Sequence, residues 1–366
     1  TKQALNKFRT NRDDFEKELD RQLELFKKIK AEQAMDELVK RMQDLTKRQS
    51  EMSEKLDTNA TRSRQENDKL ARQESEIQRD TEIVKDILKR TAQDLKDMPL
   101  MPDKEMENIL DQMEQQNLTY KIESIQKQIK QNQNQKARGN SELTQQQLQQ
   151  FQKMMEKMRE DYRQKSMQEI ANKFHKIIKN SMNLSKEQEK LNQRIKHTPA
   201  HSSRLMDEAI EQQRLRDNLN KLLGQMSELS KQTMGLSAKV SQIMGQSYNN
   251  MSSSIKNMEA RNPRQAAGKG EKAVRSLNMG SKVLMSSLKS LQSSGSSSGF
   301  ENYMKQLQKM ADQQKNLNQQ TQQMQQSGSP QMSMPGNRQS MLQQLAARQQ
   351  QIQNSLQNLQ EQMQGK

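Results

Sequence analysis

Apolar residues recur along most of the chain at alternating intervals of three and four, which places them on one narrow face of an α-helix. We call each such run a seam. Two seams occupy Leu38, Met42, Leu45, Gln49, Met52 and Leu56, and then Leu70, Glu74, Ile77, Thr81, Val84, Leu88, Thr91 and Leu95. Two more occupy Ile170, Phe174, Ile177, Ser181, Leu184, Gln188, Leu191 and Ile195, and then Leu219, Leu222, Met226, Leu229, Thr233, Leu236, Val240 and Ile243. A fifth occupies Leu342, Leu345, Gln349, Ile352, Leu356, Leu359 and Met363.

Helix-breaking residues divide the chain where the phase of the seams changes. The two prolines of the 97–102 segment must interrupt a helix, and Gly139–Asn140–Ser141 is typical of a C-cap followed by an N-cap. Thr198–Pro199 and Asn262–Pro263 each place a capping side chain before a proline. A new helix is therefore predicted to begin at each of these two prolines.

The breakers define five segments. They are long coiled-coil helices over 1–98, a helical hairpin over 103–197, a hairpin with a basic second half over 198–292, a linker with a short helix over 293–336, and a heptad helix over 337–366. The stretches 293–299 and 326–337 are rich in Ser, Gly and Pro, so both predict flexible connections. Disordered or prion-like sequence is the alternative for the Gln-rich residues after Ser293, although the heptads from Leu342 argue against it.

The composition favours thin seams over a large compact core. Only 30% of the 366 residues are hydrophobic, 3% are aromatic, and Trp is absent. A continuous helix from Thr1 to Asp57 would be roughly 85 Å long at ~1.5 Å per residue. The sequence therefore predicts an all-α, elongated coiled-coil protein built from antiparallel long-helix hairpins.

The positive charge is concentrated towards the C-terminus. The chain carries a formal charge of +16, and thirteen Lys or Arg oppose four Asp or Glu after Ala260. The candidates for a basic surface are Arg261, Arg264, Lys269, Lys272, Arg275, Lys282 and Lys289. These residues could contact phosphates of nucleic acid or of acidic lipids. No aromatic stacking residue lies among them, which argues against nucleic acid as a partner.

Candidate catalytic and metal sites are weak. There is no cysteine, and the closest pair of histidines, His197 and His201, has Pro199 between its members and no obvious third ligand. A chain this poor in bulky residues cannot easily desolvate two carboxylates for acid-base catalysis. We therefore predict no enzymatic activity, no metal site and no cofactor.

Methionine is unusually frequent, with 27 residues. Those that occupy seams, such as Met42 and Met226, are most simply core residues. Met154, Met155 and Met158 lie close to Phe151 in the sequence and are better candidates for binding a partner helix, because the flexible thioether side chain adapts to different surfaces.

Several stretches of the chain resemble a family of large bacterial envelope proteins of unknown function. The resemblance covers the segments 15–28, 35–42 and 48–49, and later the segments 251–258, 262–267 and 273–278. Members of that family carry N-terminal transmembrane helices and a long Gln-rich helical C-terminal region. The resemblance implies a membrane-anchored parent protein whose helical part lies in the periplasm, with no known catalytic residues.

Two hypotheses follow. The first is a non-enzymatic structural or protein-interaction scaffold, the soluble part of a membrane-anchored envelope protein, whose partners are other helices of itself or of another envelope protein. This segment contains no apolar run long enough to span a membrane, so the anchor implied by the resemblance would precede Thr1. The alternative is a cytoplasmic, nucleic-acid-associated coiled-coil protein that uses the basic C-terminal third.

Overall fold

A computed structural model describes residues 2–57, 63–326 and 335–364, and within these ranges the chain is all-helical without any strand. The all-α prediction is confirmed. The helices are α1 (Lys2–Asp57), α2 (Arg64–Asp94), α3 (Asp103–Gln115), α4 (Leu118–Lys130), α5 (Asn134–His197), α6 (Arg204–Ser230), α7 (Ala238–Glu259), α8 (Pro263–Ser294), α9 (Phe300–Gln326) and α10 (Pro335–Gln364).

Every residue of the first four predicted seams is buried. This includes the polar positions, among them Gln49, Glu74, Ser181 and Gln188. The burial of each Leu, Ile or Met side chain contributes roughly 1.5–3 kcal/mol to folding before the entropic cost of ordering it. The periodicity alone therefore located these buried faces correctly.

The fifth seam is only partly buried. Leu345 and Leu359 are buried and Ile352 is half-buried, whereas Leu356 is 50% exposed. The side chains of Leu342 and Met363 lie outside the described residues. α10 packs mainly against α9, so one partner helix covers less of its surface than the several neighbours of the other seams do.

The chain divides into two compact units whose boundaries fall inside α1 and α5 rather than at the predicted breakers. The smaller unit comprises residues 26–166, and the larger unit comprises residues 1–25 and 167–366.

In the smaller unit, the C-terminal part of α1 packs with α2, α3, α4 and the N-terminal part of α5. Its main core contains Met42, Leu88, Ile109 and Phe151, and a second cluster contains Met52 and Ile129 with their neighbours. Contacts between α1 and α5 run in opposite order along the two helices. They join Asp36 to Arg163, Gln43 to Glu156, and Ser53 to Ser141.

In the larger unit, the C-terminal part of α5 shares one core with α6, α7 and α8. Small residues line the packed face of α8. Ser254 Oγ donates to the backbone oxygen of Ala266 at 2.9 Å, and Ser247 Oγ donates to that of Ala273 at 3.0 Å. A hydroxyl can reach a backbone carbonyl of the facing helix only where the two helices lie close together.

The breakers of 97–102 and 262–263 act as predicted, since α2 ends at Asp94, α3 begins at Asp103, and α8 begins at Pro263. The helix start predicted at Pro199 is wrong, because α6 begins at Arg204. Pro199 instead lies in a turn in which its carbonyl accepts from Ser202 N at 3.0 Å.

The helix break predicted at Gly139–Asn140–Ser141 is also wrong, because α5 runs through it from Asn134. The break occurs just before, where Asn132 adopts a left-handed conformation with φ 60°. A single helical glycine costs only about 1 kcal/mol relative to Ala. The burial of Ala137 and Ser141 against neighbouring helices offsets that cost.

The Ser and Gly run from Ser293 to Gly299, predicted as a flexible connection, is partly buried. Ser297 and Ser298 are buried, and the backbone oxygen of Ser298 accepts from Met234 N at 2.7 Å. At Gly299, where φ is 78°, an added Cβ would lie 3.3 Å from Gly235 N. Small residues are needed here because two connections pack closely. Most of the second predicted connection, 326–337, lies outside the described residues.

Candidate interaction surfaces

The predicted basic residues gather on one helix. Of the seven, Arg264, Lys272, Arg275, Lys282 and Lys289 are exposed residues of α8. Lys269 is also on α8 but is half-buried. Arg261 precedes the helix with φ 57°, and its guanidinium donates to the backbone oxygen of Ala200 at 3.4 Å.

The five exposed cations of α8 share one face, which we call the basic stripe. Each residue of an α-helix is rotated by ~100° about the helix axis relative to the one before it. On this basis the five cations lie within an arc of about 100° around the axis, opposite the buried Ala266, Ala273 and Leu284. The stripe is about 37 Å long at ~1.5 Å per residue. Its one acidic residue is Glu271, and the other residues of the arc are Gly268, Met279, Ser286, Ser290 and Ser293. No ion pair involving its five cations is found in the described part of the chain.

The predicted partner-binding methionines lie inside the smaller unit. Phe151, Met155 and Met158 are buried in its main core, and Met154 is partly buried against it. The helices that these side chains contact therefore belong to the same chain. Little of their apolar surface is left for a separate protein.

Other large apolar side chains are exposed although the sequence did not single them out. Tyr120 is 67% exposed on α4, Ile210 is 66% exposed on α6, and Leu143 is 59% exposed on α5. Tyr120 lies between the buried Leu118 and Ile122 of α4. Its position out of phase with the buried residues of the helix is the sequence signal that could have identified it.

Two polar seam residues of the smaller unit, Gln49 and Glu74, belong to a buried hydrogen-bonded layer. Gln49 Nε2 donates to Ser141 Oγ at 2.8 Å and to Glu74 Oε1 at 3.3 Å, and the hydroxyls of Ser53 and Ser141 are 2.8 Å apart. The layer joins α1, α2 and α5. The remaining oxygens, Gln49 Oε1 and Glu74 Oε2, have no hydrogen-bond partner among the described residues.

Burial raises the pKa of Glu74 to about 8, against a smaller lowering by the hydrogen bond from Gln49. The side chain is therefore mostly neutral at pH 7. A neutral carboxylic acid can donate as well as accept, so a proton on Glu74 adds a hydrogen-bond donor to the layer.

A second polar layer lies in the larger unit. Gln188 and Gln212 donate to each other through their amide groups, at 2.6 Å in both directions. Gln188 Nε2 also donates to Asn192 Oδ1 at 2.8 Å. Nearby, the hydroxyl of Ser281 donates to Ser181 Oγ at 2.9 Å, which joins α5 to α8.

The ionisable residues do not converge on a catalytic or metal centre in the ranges that the structure covers. No group of three His, Asp or Glu side chains is placed there to hold a metal ion. His197 ends α5 and His201 lies in the following turn, so the two do not share a helix face. A groove of about 410 Å³ between α9 and α10 is lined mainly by glutamines, with Leu317, Ile352 and Arg348.

Among the described helices, none is both long and apolar enough to cross a lipid bilayer. No protein-family model matches the chain, and neither a curated protein nor a solved structure shows significant similarity to it.

Proposed function

We propose that the chain is a non-enzymatic structural or protein-interaction module, in which paired helices carry exposed faces that bind partner proteins. The observation that carries this proposal is the use of polar seam positions. Gln49 with Glu74, and Gln188 with Gln212, hydrogen-bond to each other across helices. Buried polar pairs of this kind fix which residues of two helices lie opposite each other. Such an arrangement suits a protein whose task is to hold long helices in one register.

Antiparallel helical hairpins with coiled-coil seams are the arrangement that we propose for these helices. The order of the contacts supports it. Along α5 and α8, Ser181 pairs with Ser281, Ser185 pairs with Asn278, and an added Cβ at Gly270 would meet Asn192. Increasing residue number on one helix thus accompanies decreasing residue number on the other.

The proposed location is the periplasmic side of a bacterial envelope, with a cytoplasmic location as the alternative. This proposal rests on the resemblance of segments such as 15–28 and 262–267 to bacterial envelope proteins. The same resemblance supports a membrane anchor preceding Thr1 and a helix of another envelope protein, or of a second copy, as the partner.

Site-specific photo-crosslinking in cells tests both the function and the location. A photoreactive phenylalanine derivative at exposed Tyr120 or Ile210 should give discrete adducts with periplasmic or envelope proteins. The same group at buried Phe151 is the control and should give no adduct with another protein. Adducts with cytoplasmic proteins would contradict the location. Adducts with nucleic acid alone, or no adduct at either exposed position, would contradict the function.

A further inference from the structure

Helix packing through the seams does not explain why the basic stripe lies along one exposed face of α8. Its cations occupy the exposed face, whereas the packed face of the same helix is made of Ala, Gly, Ser and Leu side chains. We propose that the basic stripe binds the surface of an anionic lipid bilayer, with α8 lying parallel to that surface. This proposal is independent of the scaffold function and can fail separately from it.

Charge complementarity is the first argument. Arg264, Arg275, Lys282 and Lys289 recur at intervals of seven or eleven residues, which keeps them on one side of the helix along its whole length. Each Lys or Arg held near an anionic bilayer gains electrostatic attraction that decays within about 8 Å at physiological ionic strength. A straight row of cations on a convex helix can bring all its members within that distance of a flat surface.

The uncharged residues of the stripe favour lipid over nucleic acid. Met279 is 52% exposed between Arg275 and Lys282, and Met285 is 48% exposed at the edge of the stripe. An apolar side chain gains free energy by entering the headgroup region of a bilayer but gains little beside a phosphodiester backbone. The stripe also lacks the aromatic residues on which bases stack.

Small residues leave the basic side chains free to approach a surface. Gly268, Ser286 and Ser290 lie among the cations along the face, so Met279 is the one bulky apolar residue of the arc. The single carboxylate of the stripe, Glu271, leaves it with a strong excess of positive charge. Other exposed helix faces of this chain carry both charges, which form ion pairs along the helix. Examples are Arg138 with Glu142 and Lys127 with Glu123.

Vesicle co-sedimentation of the full chain tests the proposal. The stripe variant carries Arg264→Gln, Lys272→Gln, Arg275→Gln, Lys282→Gln and Lys289→Gln. The control variant removes the same number of charges from exposed lysines dispersed over α2, α3, α4 and α5, as Lys89→Gln, Lys104→Gln, Lys130→Gln, Lys153→Gln and Lys165→Gln. Circular dichroism establishes that both variants retain the helical fold.

The original chain should bind phosphatidylcholine vesicles that contain phosphatidylglycerol, and not vesicles of phosphatidylcholine alone. The stripe variant should bind roughly a hundredfold more weakly, and the control variant should stay within about threefold of the original. Met279→Gln should weaken binding several-fold and leave its salt dependence unchanged, because it removes an apolar contact and no charge.

Three outcomes would overturn the proposal. One is equal loss of binding in the stripe and control variants, which would reduce the effect to net charge. Another is binding to vesicles of phosphatidylcholine alone that equals binding to vesicles containing phosphatidylglycerol. The third is retention of duplex DNA at physiological salt through the stripe without vesicle binding, which would assign the stripe to nucleic acid.

Discussion

Replacing Glu74 with glutamine should stabilise the smaller unit at alkaline pH and leave its stability at pH 5 nearly unchanged. The carboxyl is fully buried, and its pKa is raised from 4.5 to about 8. An amide at this position cannot ionise. It also offers an N–H donor to Gln49 Oε1, in the manner of the reciprocal amide pair that Gln188 forms with Gln212.

The direction in which stability changes with pH follows from the pKa values of Glu74 in the unfolded and the folded protein. Between pH 4.5 and about 8, the carboxyl ionises in the unfolded chain but keeps its proton in the folded protein. The folded state therefore binds the extra proton, and the stability of the original protein falls as pH rises through this window. Above pH 8 the loss is complete. It is on the order of 5 kcal/mol, at ~1.4 kcal/mol for each pKa unit.

Urea unfolding of the full chain between pH 5 and pH 9 measures this effect. Glu76→Gln is the matched control, because Glu76 is exposed on the same helix only two residues away. We expect the pH dependence to flatten in Glu74→Gln and to persist in Glu76→Gln. If both variants and the original protein lose stability in parallel, Glu74 is not the buried acid that we describe.

Two glycines of α8, close together in the sequence, should respond to alanine in opposite directions. At Gly270 an added Cβ would lie 1.8 Å from Asn192 Oδ1, so Asn192 must move away from its hydrogen bond with Gln188. Overpacking of this kind costs about 1–3 kcal/mol. At Gly268 an added Cβ would meet nothing within 4 Å, and the substitution should stabilise the helix by roughly 0.5–1 kcal/mol.

The free energy of unfolding of the single variants measures this difference. Gly268→Ala is the control for the change in helix propensity, which is the same at both sites. Adding Asn192→Ala to Gly270→Ala should recover part of the loss, because it removes the clashing atom. Equal effects at Gly268 and Gly270 would mean that α8 does not approach α5 as closely as the structure has it.

Much of the helical framework could be predicted because periodicity reports burial directly. The first four seams were identified without knowing the partner of any helix, and even their polar members, such as Thr81 and Thr233, are buried. Partner identity could not be predicted in this way. The seam residue Gln49 of α1 meets Ser141, about ninety positions away on α5, and nothing in the sequence around either residue specifies the other.

Local signals failed where tertiary packing outweighed them. Gly139 has the sequence context of a helix end, yet buried residues on both sides of it hold α5 together. The serines of 296–298 have the composition of a solvated connection but are buried where close packing requires small side chains. The composition of a segment indicates its average conformational preference. It does not indicate which other parts of the folded chain bury that segment.

Of the candidate interaction surfaces, one could be predicted from the sequence and one could not. The basic stripe was accessible from sequence because five of the seven basic residues predicted to form a surface share one helical face. The burial of the methionines near Phe151 could not be predicted from sequence, since a row of apolar residues has the same pattern whether it packs against its own chain or against another protein. Their burial by neighbouring helices became clear only in the structure.

Disulfide trapping tests the central claim, that buried seams hold these helices in one register. The chain has no native cysteine, and two pairs of buried serines place their hydroxyls within 3 Å. Ser53→Cys with Ser141→Cys, and Ser181→Cys with Ser281→Cys, should each oxidise rapidly to an intramolecular disulfide in the folded protein. The out-of-register pairs Ser53→Cys with Ser166→Cys, and Ser181→Cys with Ser294→Cys, should stay reduced until the chain unfolds. Oxidation of the out-of-register pairs at the same rate, or only intermolecular disulfides from the matched pairs, would contradict the account.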